Sequence, residues 1–229
     1  MTITALLPMK GTSERIPNKN LKEFNGRPLY HAIMFSLLNS KYIEKIVINT
    51  DSDRIKDDIK RNFNEDKVNI IDRPLEIQGG DVPMNEIIKY DITYLNDNHF
   101  IQTHSTNPLL RSKTIDKAIE FYFKNIENFD SIFSVTKLQT RLYDQNGKPL
   151  NHNPSKLLRT QDLPPVYEEN SNFYIFSRDS FFKKNNRIGI NPYLYEINKL
   201  EAIDIDEPED FLLAELLYMN RDKIFKDID

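Results

Sequence analysis

Cysteine and tryptophan are both absent from this chain of 229 residues. Without cysteine there can be no disulfide framework, no thiol nucleophile and no cysteine-bound zinc or iron–sulfur cluster. No run of about 18 or more apolar residues occurs, so we expect no membrane-spanning helix. The first residues do not resemble a secretory signal, because Pro8 and Lys10 follow a short apolar run. Together these absences predict a soluble, cytoplasmic protein.

Glycine is also scarce, with six residues, and the formal net charge is −4. The excess of acid argues against nucleic-acid binding, which needs a basic face. The chain has neither the Gly-x4-Gly-Lys-Ser/Thr loop nor the G-x-G-x-x-G fingerprint, so two common nucleotide-binding motifs are excluded. The length fits one domain, residues 1–229, because no linker or internal repeat divides the chain.

Short apolar runs rich in β-branched residues alternate with segments of helical period. Strands are predicted at residues 2–8, 44–50, 68–71, 99–103, 131–136, 172–177 and 201–205. Helices are predicted at residues 28–40, 84–95, 113–125 and 211–218. This alternation predicts a three-layer α/β/α fold with a mainly parallel sheet and a ligand crevice at the carboxyl ends of the strands.

Residues 137–167 interrupt the alternation. They contain the hairpin-type turn Asn146-Gly147 and several prolines among mixed polar residues. A long insertion in a compact domain usually has a function, so we expect it to cover a site or to embrace a partner subunit. The alternative is an excursion over the surface without a function.

A polar loop follows the first predicted strand, at residues 9–20. It carries three cations, Lys10, Arg15 and Lys19, together with hydroxyl groups and Gly11. Backbone N–H groups and cationic side chains at this position can bind phosphate oxygens. The alternative is a solvated loop with scattered charges.

An acidic segment at residues 204–210 precedes the last predicted helix. On the predicted strand, Asp204 and Asp206 point to the same side, and two such carboxylates would suit Mg²⁺ that carries substrate phosphates. The alternative for Asp206 is a helix N-cap, with Glu209 completing a variant of the capping box.

A third block, residues 102–111, is dense in neutral hydrogen-bonding groups that suit a hydroxyl-rich ligand. Alternatively, Ser105 or Asn107 forms a turn around Pro108. His104 has no partner at metal-ligand spacing, and we do not expect it to be catalytic.

These three blocks, in this order, resemble the acylneuraminate cytidylyltransferase family, which comprises the CMP-sialic acid synthetases and their bacterial relatives. The loop at residues 8–20 is similar to the family pattern P-A-R-x-x-S-K-x-x-x-x-K-N. The other shared features, in chain order, are Thr50-Asp51, Arg73-Pro74, the block at residues 102–111, and the ending with Asp204, Asp206 and Asp210.

The resemblance implies a nucleotide-diphospho-sugar transferase-like fold, which is Rossmann-like, with a dimerisation insertion at residues 137–167. It implies that the anomeric hydroxyl of a 2-keto-3-deoxy sugar acid attacks the α-phosphorus of CTP, with Mg²⁺ as cofactor and release of pyrophosphate. It further implies a homodimer. Two alternatives stay open: a nucleotidyltransferase for another nucleotide or sugar, and a nucleotide-binding subunit without turnover.

The resemblance also implies roles for individual residues. Lys10 and Lys19 are the expected catalytic cations on the triphosphate. The expected nucleotide contacts are Lys10, Gly11, Ser13, Arg15, Lys19, Asn20 and Arg73. The expected sugar contacts are Gln102, Ser105, Thr106, Arg141 and Asn170, and the expected metal ligands are Asp204 and Asp206.

The sequence departs from the family pattern at three places. Lys10 replaces an arginine, which keeps the charge but loses the two-pronged guanidinium. The usual Ser-Lys pair is Ser13-Glu14, with Arg15 as a neighbouring cation. Residues 102–108 are longer than the family form, so we expect a sugar pocket of different shape.

Overall fold

A seven-stranded sheet lies at the centre of the protein, in a computed structural model that describes residues 1–63 and 66–226. The strands are β1 Ile3–Leu6, β2 Glu23–Phe24, β3 Arg27–Pro28, β4 Ile43–Thr50, β5 Val68–Asp72, β6 His99–Thr103, β7 Ser131–Leu138, β8 Val166–Ser177 and β9 Pro192–Glu196. The order in the large sheet is β5-β4-β1-β6-β8-β7-β9, and β2 pairs with β3 in a separate hairpin. β8 is antiparallel to β6 and β7, whereas the other neighbouring pairs are parallel.

Helices cover both faces of this sheet. They are α1 His31–Leu38, α2 Asp53–Asn62, α3 Met84–Tyr94, α4 Ser112–Lys124, α5 Arg178–Lys184, α6 Pro208–Met219 and α7 Arg221–Lys226. One face packs against α1, α2 and α4, for example through Ile59 and Ile119, and the other packs against α3 and α5 through Ile88 and Phe181. All residues of β1 are buried, as a strand covered on both sides requires. The predicted three-layer α/β/α fold is confirmed.

None of the helices in the described parts of the chain is both long and apolar enough to cross a membrane.

The predicted helices differ from the structure mainly at their first residues. α3 and α4 lie within one residue of the predicted bounds. α1 begins at His31 rather than at residue 28, because Pro28 pairs with Glu23 in the hairpin of β2 and β3. α6 begins at Pro208, a residue whose fixed φ suits the first turn of a helix.

The predicted strand at residues 201–205 is wrong. Residues 203–206 are irregular, and their backbone groups bind the loop after β6 instead of a strand: Ile205 N donates to Thr106 O at 2.9 Å. The alternation of acidic residues and isoleucines matches a strand, but the edge of the sheet beside β7 is taken by β9, which was not predicted. The N-cap prediction for Asp206 is also wrong, because Glu207 is the N-cap of α6 and Asp210 accepts its N–H at 2.8 Å.

The insertion is slightly shorter than predicted, because β7 extends to Leu138 and β8 begins at Val166. Within residues 139–165 the structure has a one-turn helix, Thr160–Asp162, and a bridge between Tyr143 and Pro149.

A small hydrophobic cluster beside the sheet holds the polar loop after β1 against the acidic segment. Ile16 from the loop after β1 packs with Leu29, Ile205 and Phe211. The burial of Ile16 and Ile205 in one cluster holds the polar loop next to the acidic segment.

Candidate active site

An open cleft of about 480 Å³ lies at the carboxyl ends of β1, β5 and β6. Its walls come from the loop after β1, from Arg73 and the turn at residues 79–82, and from the loop after β6. The predicted site residues that line it are Lys10, Ser13, Arg15, Lys19, Asn20, Arg73, Ser105, Thr106 and Asp206. The cleft therefore lies where the predicted sheet placed a ligand crevice.

Hydrogen bonds join the three sequence blocks inside this cleft. Asn20 donates to Lys10 O at 2.9 Å and accepts from Ser105 Oγ at 2.6 Å. Lys19 Nζ donates to Ile205 O at 2.5 Å, which ties the loop after β1 to the acidic segment. The blocks are far apart in the sequence, but they form one site.

Gly11 shapes the loop without lining the cleft. Its N–H donates to Asp51 Oδ1 at 2.6 Å, at the end of β4. A Cβ atom at position 11 would lie 2.8 Å from Ser52 Cβ, so only glycine fits this close approach. The Thr50-Asp51 pair thus anchors the polar loop through the Asp51 carboxylate.

Arg73 presents a positive charge at the base of the cleft. Its Nε donates to Asn49 Oδ1 at 2.7 Å, and Nη2 donates to Asn49 O at 2.9 Å. Asn49 Nδ2 in turn donates to Asp91 Oδ1 at 2.5 Å. Across the described residues, no carboxylate lies within ion-pair distance of Arg73. Its charge is therefore available to an anionic ligand.

Burial changes the ionisation of this network. It lowers the pKa of Arg73, while the negative charges of Asp51 and Asp91 act in the opposite direction. Burial also raises the pKa of Asp91 to about 7, although Asn49 and Arg73 oppose the increase. Burial therefore favours the protonated form of Asp91, whose carboxyl accepts from Asn49.

Arg15 extends across the mouth of the cleft to the acidic segment. It binds Asp206 at 2.7 Å and Glu207 at 2.9 Å, and Lys19 Nζ lies 3.6 Å from the same Asp206 oxygen. The hydrogen bond to Glu207 and the charge of Asp206 raise the pKa of Arg15. Phosphates that enter the cleft would compete with these carboxylates for Arg15.

Asp204 is half-buried and, unlike Asp206, does not line the cleft. Within the described parts of the chain, its Oδ1 atom is buried without a hydrogen-bond partner. Burial raises the pKa of Asp204, a hydrogen bond from Thr106 opposes this, and the charge of Asp206 adds to it. The described residues contain no group of three or more His, Cys, Asp or Glu side chains at metal-binding distance, so the two aspartates would need further oxygen ligands from a substrate or water.

Only some of the predicted sugar contacts lie in the cleft. Ser105 and Thr106 line the cleft, whereas Gln102, Arg141 and Asn170 do not. Gln102 is fully buried, Asn170 donates to Thr136 Oγ1 at 3.0 Å, and Arg141 donates to Leu158 O within the insertion at 2.6 Å.

Arg187, which the sequence did not reveal, does not line the cleft but contacts His104, which does. Its Nη1 donates to Gln102 Oε1 at 2.6 Å and lies 3.4 Å from His104 Nε2, and its guanidinium stacks on the Tyr174 ring at 3.6 Å. Arg187 belongs to no recognisable motif, because it lies in an irregular loop between α5 and β9. Asn49 was missed as well, because a single polar residue within an otherwise apolar strand gives no signal of a function.

Comparison with known proteins agrees with this geometry. The family model described as "Cytidylyltransferase" matches residues 4–227, which is nearly the whole chain. The chain belongs to the cytidylyltransferase family. The resemblance found in the sequence is thereby confirmed, and membership supports the expected enzyme class, nucleotidyl transfer.

Individual relatives are distant. The N-acylneuraminate cytidylyltransferase of Streptococcus agalactiae serotype V is 24% identical over 214 residues, which are 90% of this chain and 51% of that protein. The pseudaminic acid cytidylyltransferase of Campylobacter jejuni serotype O:23/36 is 25% identical, over 96% of this chain and 98% of the relative. The chain therefore spans about half the length of the streptococcal protein and almost all of the other.

The fold is shared with a solved structure of CMP:2-keto-3-deoxy-manno-octonic acid synthetase complexed with CTP. The TM-score is 0.67 at 12% identity, over 96% of this chain and 100% of the other. At this identity the similarity concerns the fold alone.

Proposed function

We propose that this protein transfers CMP from CTP to a 2-keto-3-deoxy sugar acid of the sialic acid type, with release of pyrophosphate. The observation that carries the proposal is the convergence of the cationic loop after β1, the hydroxyl-bearing loop after β6 and the acidic segment on one cleft. The relatives named for N-acylneuraminate and pseudaminic acid support the choice of acceptor.

In the proposed reaction the anomeric oxygen of the acceptor attacks the α-phosphorus of CTP. The bond from this phosphorus to the bridging oxygen breaks, the acceptor hydroxyl loses its proton, and pyrophosphate leaves. Such a transfer depends mainly on positioning and on neutralisation of charge. We assign the triphosphate to Lys10, Lys19 and Arg73, whose cations surround the cleft. Ser105 and Thr106 would bind the acceptor.

Magnesium is the expected cofactor, and the acidic segment fits it. The buried Asp204 Oδ1 atom lacks a partner in the described structure, and Asp206 lines the cleft. Both offer the carboxylate oxygens that Mg²⁺ prefers. We propose that these two residues hold the ion, which when bound would neutralise phosphate charge.

We also propose that the protein forms a homodimer through the insertion. Leu150 and Leu157 are 63% and 85% exposed in the single chain, and Tyr143 is also exposed. Apolar residues concentrated on one excursion favour a partner surface.

Pyrophosphate release tests the function. The assay would combine the protein with CTP, Mg²⁺ and each of three acids: N-acetylneuraminic, pseudaminic and 2-keto-3-deoxy-manno-octonic acid. We expect release that depends on both CTP and one of the acids. Release only with GTP or UTP would favour another nucleotidyltransferase. CTP that protects against thermal unfolding without any release would favour a binding subunit.

The magnesium proposal is tested by Asp206→Asn, with Glu209→Gln as the control in the same acidic segment. We expect Asp206→Asn to abolish magnesium-dependent release while the melting temperature stays close to that of the unchanged protein. An unchanged magnesium titration in Asp206→Asn would contradict the assignment.

A further inference from the structure

Arg187 holds a positive charge beside the cleft, and the charge of Glu169 acts on it from beyond ion-pair distance. Its neighbours are the Gln102 amide, the His104 imidazole and the Tyr174 ring. Over the described ranges, 1–63 and 66–226, no carboxylate lies within ion-pair distance of its guanidinium. Glu169, whose charge raises the pKa of Arg187, accepts a short hydrogen bond from the Tyr174 hydroxyl.

Two other half-buried arginines of this protein are bound to groups of the fold. Arg178 donates to the backbone carbonyls of Ile92, Leu95 and Asp97, and Arg111 forms an ion pair with Glu201 at 2.7 Å. Burial lowers the pKa of Arg187, which reflects the cost of removing its charge from water. Arg178 donates through Nε, Nη1 and Nη2, whereas the guanidinium hydrogen bonds described for Arg187 both involve Nη1, which suits Arg187 better to an anionic ligand.

His104 connects Arg187 to the cleft and adds no compensating negative charge. Burial, together with the charges of Arg187 and Lys19, lowers the pKa of His104 to about 3. The neutral imidazole lines the cleft and can accept from Arg187 through Nε2. Lys19, on the loop after β1, lines the same cleft as His104.

The position of Arg187 is fixed by the sheet. Gln102 of β6 lies directly opposite Tyr174 of β8, so both side chains are on the same face of the sheet. Gln102 Nε2 donates to Thr103 O at 2.8 Å, which turns its carbonyl oxygen towards Arg187. With the Tyr174 ring below it, the guanidinium is held in one orientation before any ligand arrives.

We propose that Arg187 binds the carboxylate of the acceptor sugar acid. This inference rests on the proposed function. An arginine matches a carboxylate through two parallel N–H donors, which fixes direction as well as attraction. In a 2-keto sugar acid the carboxylate is attached to the anomeric carbon, so holding it also directs the attacking hydroxyl. The residue sets specificity for an acid over a neutral sugar.

The test compares Arg187→Gln and Arg187→Lys with the unchanged protein. We measure KM and kcat for the best acid of the panel and for its methyl ester, together with the Kd of CTP. For Arg187→Gln we expect KM for the acid to rise about tenfold or more, because a charged hydrogen bond is lost. The preference for the acid over the ester should disappear. The Kd of CTP should change less than about twofold.

Arg187→Lys keeps the charge without the two-pronged geometry, and we expect an intermediate KM. If Arg187→Gln fails to fold, the KM and the ester preference of Arg187→Lys test the proposal instead. Lys183→Gln is the charge-matched control, since Lys183 is exposed on α5, and it should leave all values unchanged.

The outcomes separate the two proposals. Turnover by the unchanged protein, with the same KM and ester preference in both Arg187 variants, would overturn the carboxylate assignment alone. Equal turnover of acid and ester by the unchanged protein would also overturn it. No pyrophosphate release by the unchanged protein with any acid would overturn the proposed function and this assignment with it.

Discussion

Gly11 shows how one residue without a side chain positions the whole cationic loop. Its backbone N–H reaches Asp51 because nothing separates the loop from Ser52, the N-cap of α2. The scarcity of glycine in the chain is therefore compatible with phosphate binding, since a single glycine is placed where close approach requires it.

We expect Gly11→Ala to raise the Kd of CTP about tenfold, because the added Cβ would be too close to Ser52 and would displace the loop from Asp51. The core is not involved, so the melting temperature should fall by only a few degrees. Calorimetric titration with CTP measures the effect. Gly80→Ala is the matched control in the same cleft, because its Cβ would meet only Glu14 Oε1, at 3.6 Å. Equal losses in both variants would contradict the prediction.

The ionisation of Asp91 makes the free energy of unfolding depend on pH. Its pKa is raised by burial to about 7, so the folded protein binds a proton that the unfolded chain releases near pH 4. The contribution of Asp91 to the free energy of unfolding is thus fully present below about pH 4 and is lost as the pH rises through about 7. The groups that face its carboxyl are Asn49 and the charge of Arg73.

We expect Asp91→Asn to remove this dependence, because the amide mimics the protonated carboxyl. The unfolding free energy of the variant minus that of the unchanged protein should increase by about 1–3 kcal/mol as the pH rises from 5 to 8. Urea unfolding of both proteins at a series of pH values measures the difference, and groups common to both cancel. A difference that stays constant with pH would show that Asp91 titrates normally.

At the scale of elements, the acidic segment depends on a buried ion pair. Glu201 is 1% exposed, and its carboxylate accepts from Arg111 N at 3.0 Å, Arg111 Nε at 2.9 Å and Thr114 Oγ1 at 2.9 Å. These bonds attach residues 201–206 to the start of α4. The segment is therefore held by side-chain hydrogen bonds, whereas the sequence predicted a strand at residues 201–205.

We expect Glu201→Gln to lower the unfolding free energy by about 2–4 kcal/mol, because the change removes a buried carboxylate that accepts from Arg111 and Thr114. Turnover should fall too, since Asp204 and Asp206 lie on the same segment. Asp162→Asn provides the control, because its pairing with Arg159 is exposed and should be worth about 0–1 kcal/mol. Urea unfolding checks both variants, and similar small losses would mean that Glu201 does not anchor the segment.

At the scale of the whole molecule, the insertion exposes apolar side chains that a second copy of the chain could cover. Leu150 and Leu157 face solvent, whereas the sheet is covered on both sides. We expect the unchanged protein to sediment as a dimer, and the double variant Leu150→Glu and Leu157→Glu to shift towards monomer because charge is placed in the interface.

Leu75→Glu is the control, as Leu75 is 80% exposed but lies outside the insertion. It should leave the sedimentation coefficient unchanged. A monomeric unchanged protein, or a double variant that remains dimeric, would contradict the proposed interface.

Much of the architecture could be predicted because it depends on local patterns. The helical period of α4 and the apolar runs of β1 and β4 are determined by which faces must be buried, and near neighbours in the chain reveal this. The cationic loop was recognisable in the same way, since its charges follow a strand directly. The hairpin of β2 and β3 was missed because each of its strands has only two residues, and the edge strand β9 was missed because it begins with a proline.

The sequence alone determined the fold class and much of the chemistry available at the cleft: cations, hydroxyl groups and the Asp206 carboxylate, with no thiol. Only the tertiary structure decided that residues 203–206 bind a loop instead of a strand, and that Arg187 meets Gln102, 85 positions away. The physical reason is that burial patterns are local, whereas a buried polar group takes whichever partner the packed chain brings within reach. Whether a cation can bind a ligand therefore depends on which partners the folded chain places around it.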